Sequence, residues 1–78
     1  MSDTMMSTTD RLGYMANQIA RNFAIEGEEV AIEATRRHIR RYWDPLMRQR
    51  VIASLAADPA QFSDIARGAV EALRDAAG

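Results

Sequence analysis

The chain has 78 residues and a formal net charge of −1 at pH 7, a length that holds at most one domain. It contains no cysteine and one histidine, which excludes disulfide cross-links and argues against a structural metal. A fold of this size buries only about 60% of the surface that its unfolded chain exposes. We therefore expect it to gain stability from a partner surface.

The distribution of charge and apolar residues bears on nucleic acids, membranes and location. A net charge of −1 creates no overall field for nucleic acid or anionic lipid. No apolar run approaches the roughly 20 residues of a membrane span, and the first ten residues lack a signal pattern, so we expect a cytoplasmic protein without membrane contact. All ten basic residues are arginine, which favours planar, bidentate contacts, although a GC-rich bacterial genome would produce the same bias.

The first eight residues are polar and Met-rich without periodicity, which predicts a disordered N-terminal tail, 1–8, before a single helical domain over 9–76. Thr9 is suited to cap a first helix. Gly27 can adopt the left-handed conformation that ends it. The spacing of three and four predicts the inner face of this helix, formed by Leu12, Met15, Ala16, Ile19 and Phe23.

Three further helices are predicted. The second runs from Glu28 to about Trp43, with glutamates first and arginines last, as the helix dipole favours. Asp44-Pro45 reads as the N-cap and first residue of a third helix, Asp58-Pro59 repeats that signal, and a last helix begins near Ser63. The predicted inner faces comprise Ile32, Thr35, Ile39, Tyr42 and Trp43, then Met47, Val51, Ile52 and Leu55, then Ile65, Ala66, Ala69, Val70 and Leu73.

No stretch alternates with period two for long enough to indicate a strand. Short connections make sequential helices antiparallel or steeply angled neighbours. The predicted fold class is therefore all-α: a small bundle or orthogonal array of three to four short helices.

The residues that catalysis requires are scarce. An activated nucleophile needs a base within hydrogen-bond reach, and the chain has no Cys, no Lys and a single His. His38 stands among Arg36, Arg37 and Arg41 and has no orienting carboxylate at helical spacing. Thr35 replaces the glutamate that a Glu-x-x-His metal pair requires. We predict no catalytic, cofactor-binding or metal-binding residues, and a protein that is not itself an enzyme.

The segment over 36–50 carries six arginines and one aspartate, a net charge of +5. The like-charge pairs Arg36/Arg40 and Arg37/Arg41 each cost a few tenths of a kcal/mol on an isolated helix. Glu33 can pair with Arg36 or Arg37, and Asp44 can offset part of the remainder. An acidic partner surface or phosphates could meet the rest.

Aromatic residues beside arginines are enriched at protein interfaces, and Trp43 is either such an anchor or a core residue at the corner before the third helix. Asp44 could serve only as a helix cap, and the arginines could form only a hydrated face. The predicted partner-binding residues are Asn17, Arg40, Arg41, Trp43, Asp44 and Arg48.

Two blocks carry a resemblance to a known family: Met15 to Ile19 with Phe23, and His38 to Pro45 with Met47 and Arg48. In these blocks the chain resembles the delta subunit of cytoplasmic NAD-dependent, molybdenum-containing formate dehydrogenases. The similarity runs from about Leu12 to Leu73 and weakens after Arg50. The family often has an aromatic pair at Asn22-Phe23, phenylalanine at Tyr42 and arginine at Leu46.

The resemblance implies an accessory subunit without cofactors that assists assembly or stability by docking on the large molybdenum subunit. Molybdopterin, iron-sulfur centres, FMN and NAD are then expected in partner subunits. Two alternatives are a small helical nucleic-acid-binding module that uses the +5 segment, and a free-standing assembly chaperone that leaves the mature enzyme. An unpartnered chain could also self-associate.

Overall fold

The structure is a computed structural model and describes residues 8–77. In this range the chain forms α1 (Thr8–Phe23), α2 (Glu28–Tyr42), α3 (Pro45–Ala57) and α4 (Asp64–Ala77), with short 3₁₀ helices at Ala24–Glu26 and Pro59–Gln61. The predicted all-α class is confirmed for these residues. The predicted tail lies outside the described residues except for Thr8, the first residue of α1, so Thr9 lies inside that helix and not at its N-cap.

The core lies around α1, which contacts all three other helices, while α2 packs most extensively on α4. Small residues dominate the helix contacts, since Ala16, Ala31 and Ala66 are fully buried. At Gly68 an added Cβ would lie 2.8 Å from Ile32 Cδ1, so α4 approaches α2 very closely there. The main buried cluster contains Leu12, Ala16, Ala20, Ile39, Trp43, Val51, Leu55, Phe62, Ala66, Val70 and Leu73.

The predicted inner faces are buried or half-buried with one exception, Tyr42, which is 66% exposed. Tyr42 is the last residue of α2, whereas Trp43 is its extended C-cap. From that position Trp43 follows Ile39 into the core. The periodicity did not predict Phe62, Ala20 or Ser54, which are also buried.

The turns follow the predicted signals with two changes. The helix α1 ends at Phe23, and Gly27 ends the short 3₁₀ helix after it and not α1 itself. Gly27 has φ +99° and its carbonyl accepts the first hydrogen bond of α2, from the Ala31 amide at 2.8 Å. Asp58-Pro59 begins the second 3₁₀ helix and not a long helix, and Asp58 makes no side-chain cap bond there. The start of α4 is capped by Ser63, whose Oγ accepts from the Ala66 amide at 3.2 Å.

Replacement of a core isoleucine tests this packing. Ile39 is fully buried, whereas Ile25 is 92% exposed. We expect Ile39→Ala to lower the free energy of unfolding by about 2–5 kcal/mol, and the control Ile25→Ala to change it by less than about 0.5 kcal/mol. Urea unfolding followed by circular dichroism measures both, and equal losses would contradict the assigned core.

Candidate protein interface at the corner between two helices

The corner between α2 and α3 consists of two residues, Trp43 and Asp44. Trp43 is extended, with φ −94° and ψ 139°, and its amide donates to the Ile39 carbonyl at 2.9 Å. The Asp44 carboxylate accepts from the Met47 amide at 2.8 Å and so caps α3. Pro45, the first residue of α3, has no N–H that would be left unsatisfied there. The predicted cap-and-start signal is confirmed at this site.

Arg48, on α3, forms hydrogen bonds to the end of α2. Its Nη1 atom donates to the Trp43 carbonyl at 2.6 Å and to the Arg40 carbonyl at 3.3 Å. These carbonyls lie at the C-terminal end of α2, where the last oxygens have no partner within the helix and the dipole favours a cation. The predicted interface residue Arg48 therefore binds its own chain, and one α3 side chain fixes the angle between α2 and α3.

Trp43 belongs to the core, the second of the two alternatives for this residue. Its side chain is 5% exposed and lies within the main buried cluster. The indole ring is thus covered by its own helices and is not available as a surface anchor in this conformation. Trp43 therefore contributes to the corner by holding α2 and α3 in place.

Asn17 lies on α1 and makes two hydrogen bonds to the segment before α4. Its Nδ2 atom donates to the Gln61 carbonyl at 2.9 Å, and its Oδ1 atom accepts from the Ser63 amide at 2.9 Å. Gln61 in turn donates through Nε2 to Ser54 Oγ at 2.8 Å. Asn17 therefore joins α1 to a loop more than 40 residues away in the chain and does not lie in the corner.

Arg40 and Arg41 are both exposed, but they face different grooves. Arg40 lies on a groove of about 160 Å³ between the C-terminal end of α2, α3 and α4, lined by Arg40, Pro45, Arg48, Gln49, Ile52 and Leu73. Arg41 lies on a second groove, of about 240 Å³, lined by Phe23, Ala34, Arg37, His38, Arg41 and Tyr42. The two adjacent arginines can therefore contact two different surfaces.

We use the name basic corner for the outward surface of Arg40, Asp44, Pro45, Leu46, Arg48 and Gln49. Leu46, the second residue of α3, is 54% exposed. Among residues 11–76, neither Arg40 nor Arg41 forms an ion pair, so the predicted compensation by Asp44 does not occur there. The basic corner thus presents unpaired positive charge beside an exposed apolar side chain.

Glu33 pairs with Arg36, one of the two arginines predicted for it. Arg36 Nη2 lies 2.6 Å from Glu33 Oε2, and Nε donates to Oε1 at 3.0 Å. This hydrogen bond lowers the pKa of Glu33 below its ordinary value. The pair occupies Arg36 on the surface of α2 and leaves Arg37, Arg40 and Arg41 outside the ion pairs of the described part of the chain.

Other kinds of site find little support among the described residues. There, no three His, Cys, Asp or Glu side chains lie close enough together to hold a metal ion. The His38 ring packs against the Phe23 and Tyr42 rings, at centroid distances of 6.5 and 4.8 Å. No helix between residues 8 and 77 is long and apolar enough to cross a membrane.

The fold and the corner define a small all-α protein in which two helices meet at a fixed angle and expose unpaired arginines. Residues 11–70 match the family described as the NADH-dependent formate dehydrogenase delta subunit, FdsD. This match covers more than half of the chain, so the chain belongs to that family, and the resemblance seen in the sequence is confirmed. Comparisons with curated proteins and with solved structures gave no match.

The role of Arg48 in fixing the corner can be tested by truncation. Because Arg48→Ala removes two charge-assisted hydrogen bonds to α2 carbonyls, we expect a loss of roughly 1–2 kcal/mol in the free energy of unfolding. Arg50→Ala removes an exposed arginine of the same helix and should cost less than about 0.5 kcal/mol. Urea titration of both variants measures the difference, and a cost for Arg50→Ala as large as that for Arg48→Ala would contradict this role.

The link made by Asn17 can be tested in the same way. We expect Asn17→Ala to lower the free energy of unfolding by about 1–3 kcal/mol, because it leaves the Ser63 amide and the Gln61 carbonyl without their partner. Exchange of the Ser63 amide hydrogen, followed by NMR, should become faster. Asn22→Ala, an exposed change on the same helix, is the control. Unchanged protection of the Ser63 amide in Asn17→Ala would refute the link.

Proposed function

We propose that this chain is a non-catalytic accessory subunit of a cytoplasmic NAD-dependent, molybdenum-containing formate dehydrogenase complex. It would assist assembly or stability of the complex by docking on the large molybdenum subunit. The observation that carries the proposal is the match of residues 11–70 to the delta subunit family. In this proposal molybdopterin, iron-sulfur centres, FMN and NAD are bound by the partner subunits.

The basic corner is the surface that fits docking best. Arg40 is exposed and forms no ion pair among the described residues, and Leu46, in the first turn of α3, is 54% exposed. A guanidinium group can bind a carboxylate through two parallel hydrogen bonds, and complementary charge steers association and excludes wrong partners. The matching surface on the large subunit would therefore carry carboxylates around a shallow apolar depression. Arg41 lies on the other groove and is not part of this surface.

The remaining predicted interface residues support docking by position. Trp43 is held in the core, Asp44 caps α3, and Arg48 bonds to the end of α2. They keep the corner in one conformation before a partner arrives, which lowers the entropy cost of binding. Asn17 would act at greater distance, because it holds the loop that leads into α4.

A non-catalytic role agrees with the side chains available. The sequence has no cysteine and a single histidine, and that histidine packs between two aromatic rings. The acidic Glu33 is engaged with Arg36. The chemistry of formate oxidation would then belong entirely to the partner subunits.

The nucleic-acid alternative gains nothing from the structure. Of the six arginines over 36–50, Arg36 is paired with Glu33 and Arg48 is bonded to backbone carbonyls. These two would have to give up their present partners to bind phosphates. Docking on a protein would use Arg40, which forms no ion pair among the described residues. It therefore requires no existing hydrogen bond of the segment to break.

Co-purification tests the docking. The full chain is co-expressed with the affinity-tagged large subunit, as wild type or as Arg40→Glu/Leu46→Asp. We expect the wild type to co-purify stoichiometrically and the double variant to lose at least about tenfold in binding, since charge reversal and loss of an apolar contact act together. Both changes lie at exposed positions, so circular dichroism should show an intact fold.

The control is Arg21→Glu, which makes the same change in charge. Arg21 is exposed on a groove with Asn17 and Ser63, and this variant should co-purify like the wild type. Equal recovery of the corner variant and the wild type would contradict docking at the corner. A wild-type chain that binds the immature large subunit but is absent from active enzyme would identify an assembly chaperone and overturn the proposal of a resident subunit.

A further inference from the structure

On the outer face of α2, acidic and basic residues occupy different halves of the helix. Glu29 and Glu33 lie in its first half and Arg37 and Arg41 in its second half, all exposed. Half-buried Ala34 lies between the two sets. The spacing of four residues places these four charges on one stripe of the helix, about 18 Å long from Glu29 to Arg41 at 1.5 Å per residue.

The stripe continues into two shallow grooves that meet at Ala34 and Arg37. The groove at the acidic end has a volume of about 370 Å³ and is lined by Glu26, Glu29, Val30, Glu33, Ala34 and Arg37. The groove at the basic end is the aromatic one that contains Arg41 and Tyr42. Val30 and Tyr42 are both more than half exposed, so each end of the face offers apolar surface as well as charge.

We propose that this face binds a second copy of the same chain, with the two α2 helices antiparallel and the two-fold axis at the level of Glu33 and Ala34. In this arrangement Glu29 of one copy lies opposite Arg37 of the other, and Glu26 lies opposite Arg41. Two-fold symmetry makes each pairing occur twice. The small side chain of Ala34 permits the close approach, about 8–10 Å between axes, that helix packing requires.

The order of the charges along α2 favours a second copy of the chain over other partners. A parallel pair of α2 helices would place like charges together, which opposes association. A uniformly acidic partner would match only Arg37 and Arg41, and a uniformly basic one only the glutamates. A reversed copy of the same helix matches the outer charges of both halves. At the centre the two Glu33 carboxylates come near each other, and each is already paired with its own Arg36. Within the described chain, Glu29, Arg37 and Arg41 form no ion pair that the second copy would have to displace.

The size of the face predicts a weak dimer. Stable complexes bury about 800 Å² on each partner, whereas one face of a 15-residue helix is about 22 Å long and about 10 Å wide. We expect micromolar or weaker affinity that falls as salt screens the charges. The face is distinct from the basic corner, so a chain docked on a large subunit could still bind a second copy and join two enzyme complexes.

The test is the oligomeric state of the purified full-length chain, measured by sedimentation velocity over a range of concentrations. Dimers should form in about 0.1 M NaCl and dissociate in about 1 M NaCl, where the screening length falls from about 10 Å to about 3 Å. Glu29→Arg alone and Arg37→Glu alone should each weaken association at least tenfold, because each places like charges in opposition twice. The control Arg50→Glu, on α3, should dimerise like the wild type.

Combining two variants with opposite charge changes distinguishes loss of the interface from misfolding of a variant. An equimolar mixture of Glu29→Arg and Arg37→Glu chains should form heterodimers, and the doubly exchanged chain should form homodimers, because opposite charges face each other again. A wild type that stays monomeric in about 0.1 M NaCl, single variants that dimerise normally, or a mixture that does not associate would each overturn the proposal. The measurement uses no other subunit, so either result leaves the docking proposal to its own test.

Discussion

The fold depends on how the chain turns between Trp43 and Asp44. A protein of 78 residues without cysteine cannot hold two helices at an angle by cross-linking them, so it uses burial and hydrogen bonds. The Trp43 indole fills the core, the Asp44 carboxylate satisfies the start of α3, and the Arg48 guanidinium satisfies the end of α2. The backbone polar groups at both helix ends therefore have local hydrogen-bond partners, which leaves little freedom for α3 to move against α2.

The rest of the core combines larger apolar side chains, such as Leu12 and Phe62, with small residues at the helix contacts. Alanines at the helix contacts, and Gly68 against Ile32, let the four helices approach closely. Ile25, Val30 and Leu46 remain on the surface, where they add apolar area to surfaces that also carry charge.

Periodicity and capping signals predicted the helices and most of their inner faces, because both are local properties of the chain. They could not choose between Tyr42 and Trp43, since the choice depends on where α3 and α4 lie. Nor could they predict the bonds of Arg48 and Asn17, which join residues brought together only by the fold. Both residues belong to the blocks that resemble the delta subunit, as do Trp43 and Asp44. Much of that resemblance therefore concerns residues that hold the fold, and contacts with a partner can lie beside these residues.

The charge order of α2 illustrates how one pattern can serve two purposes. Glutamates near the start of a helix and arginines near its end complement the dipole, but that effect acts only within the first and last turns. Glu33 and Arg37 lie in the middle of α2, beyond its reach. The hydrogen bond from Arg36 lowers the pKa of Glu33, and the nearby charge of Arg37 acts in the same direction. The dipole accounts for Glu28 and Arg40. Arg37 forms no ion pair among the described residues, so its guanidinium is free to bind an opposing surface of reversed order.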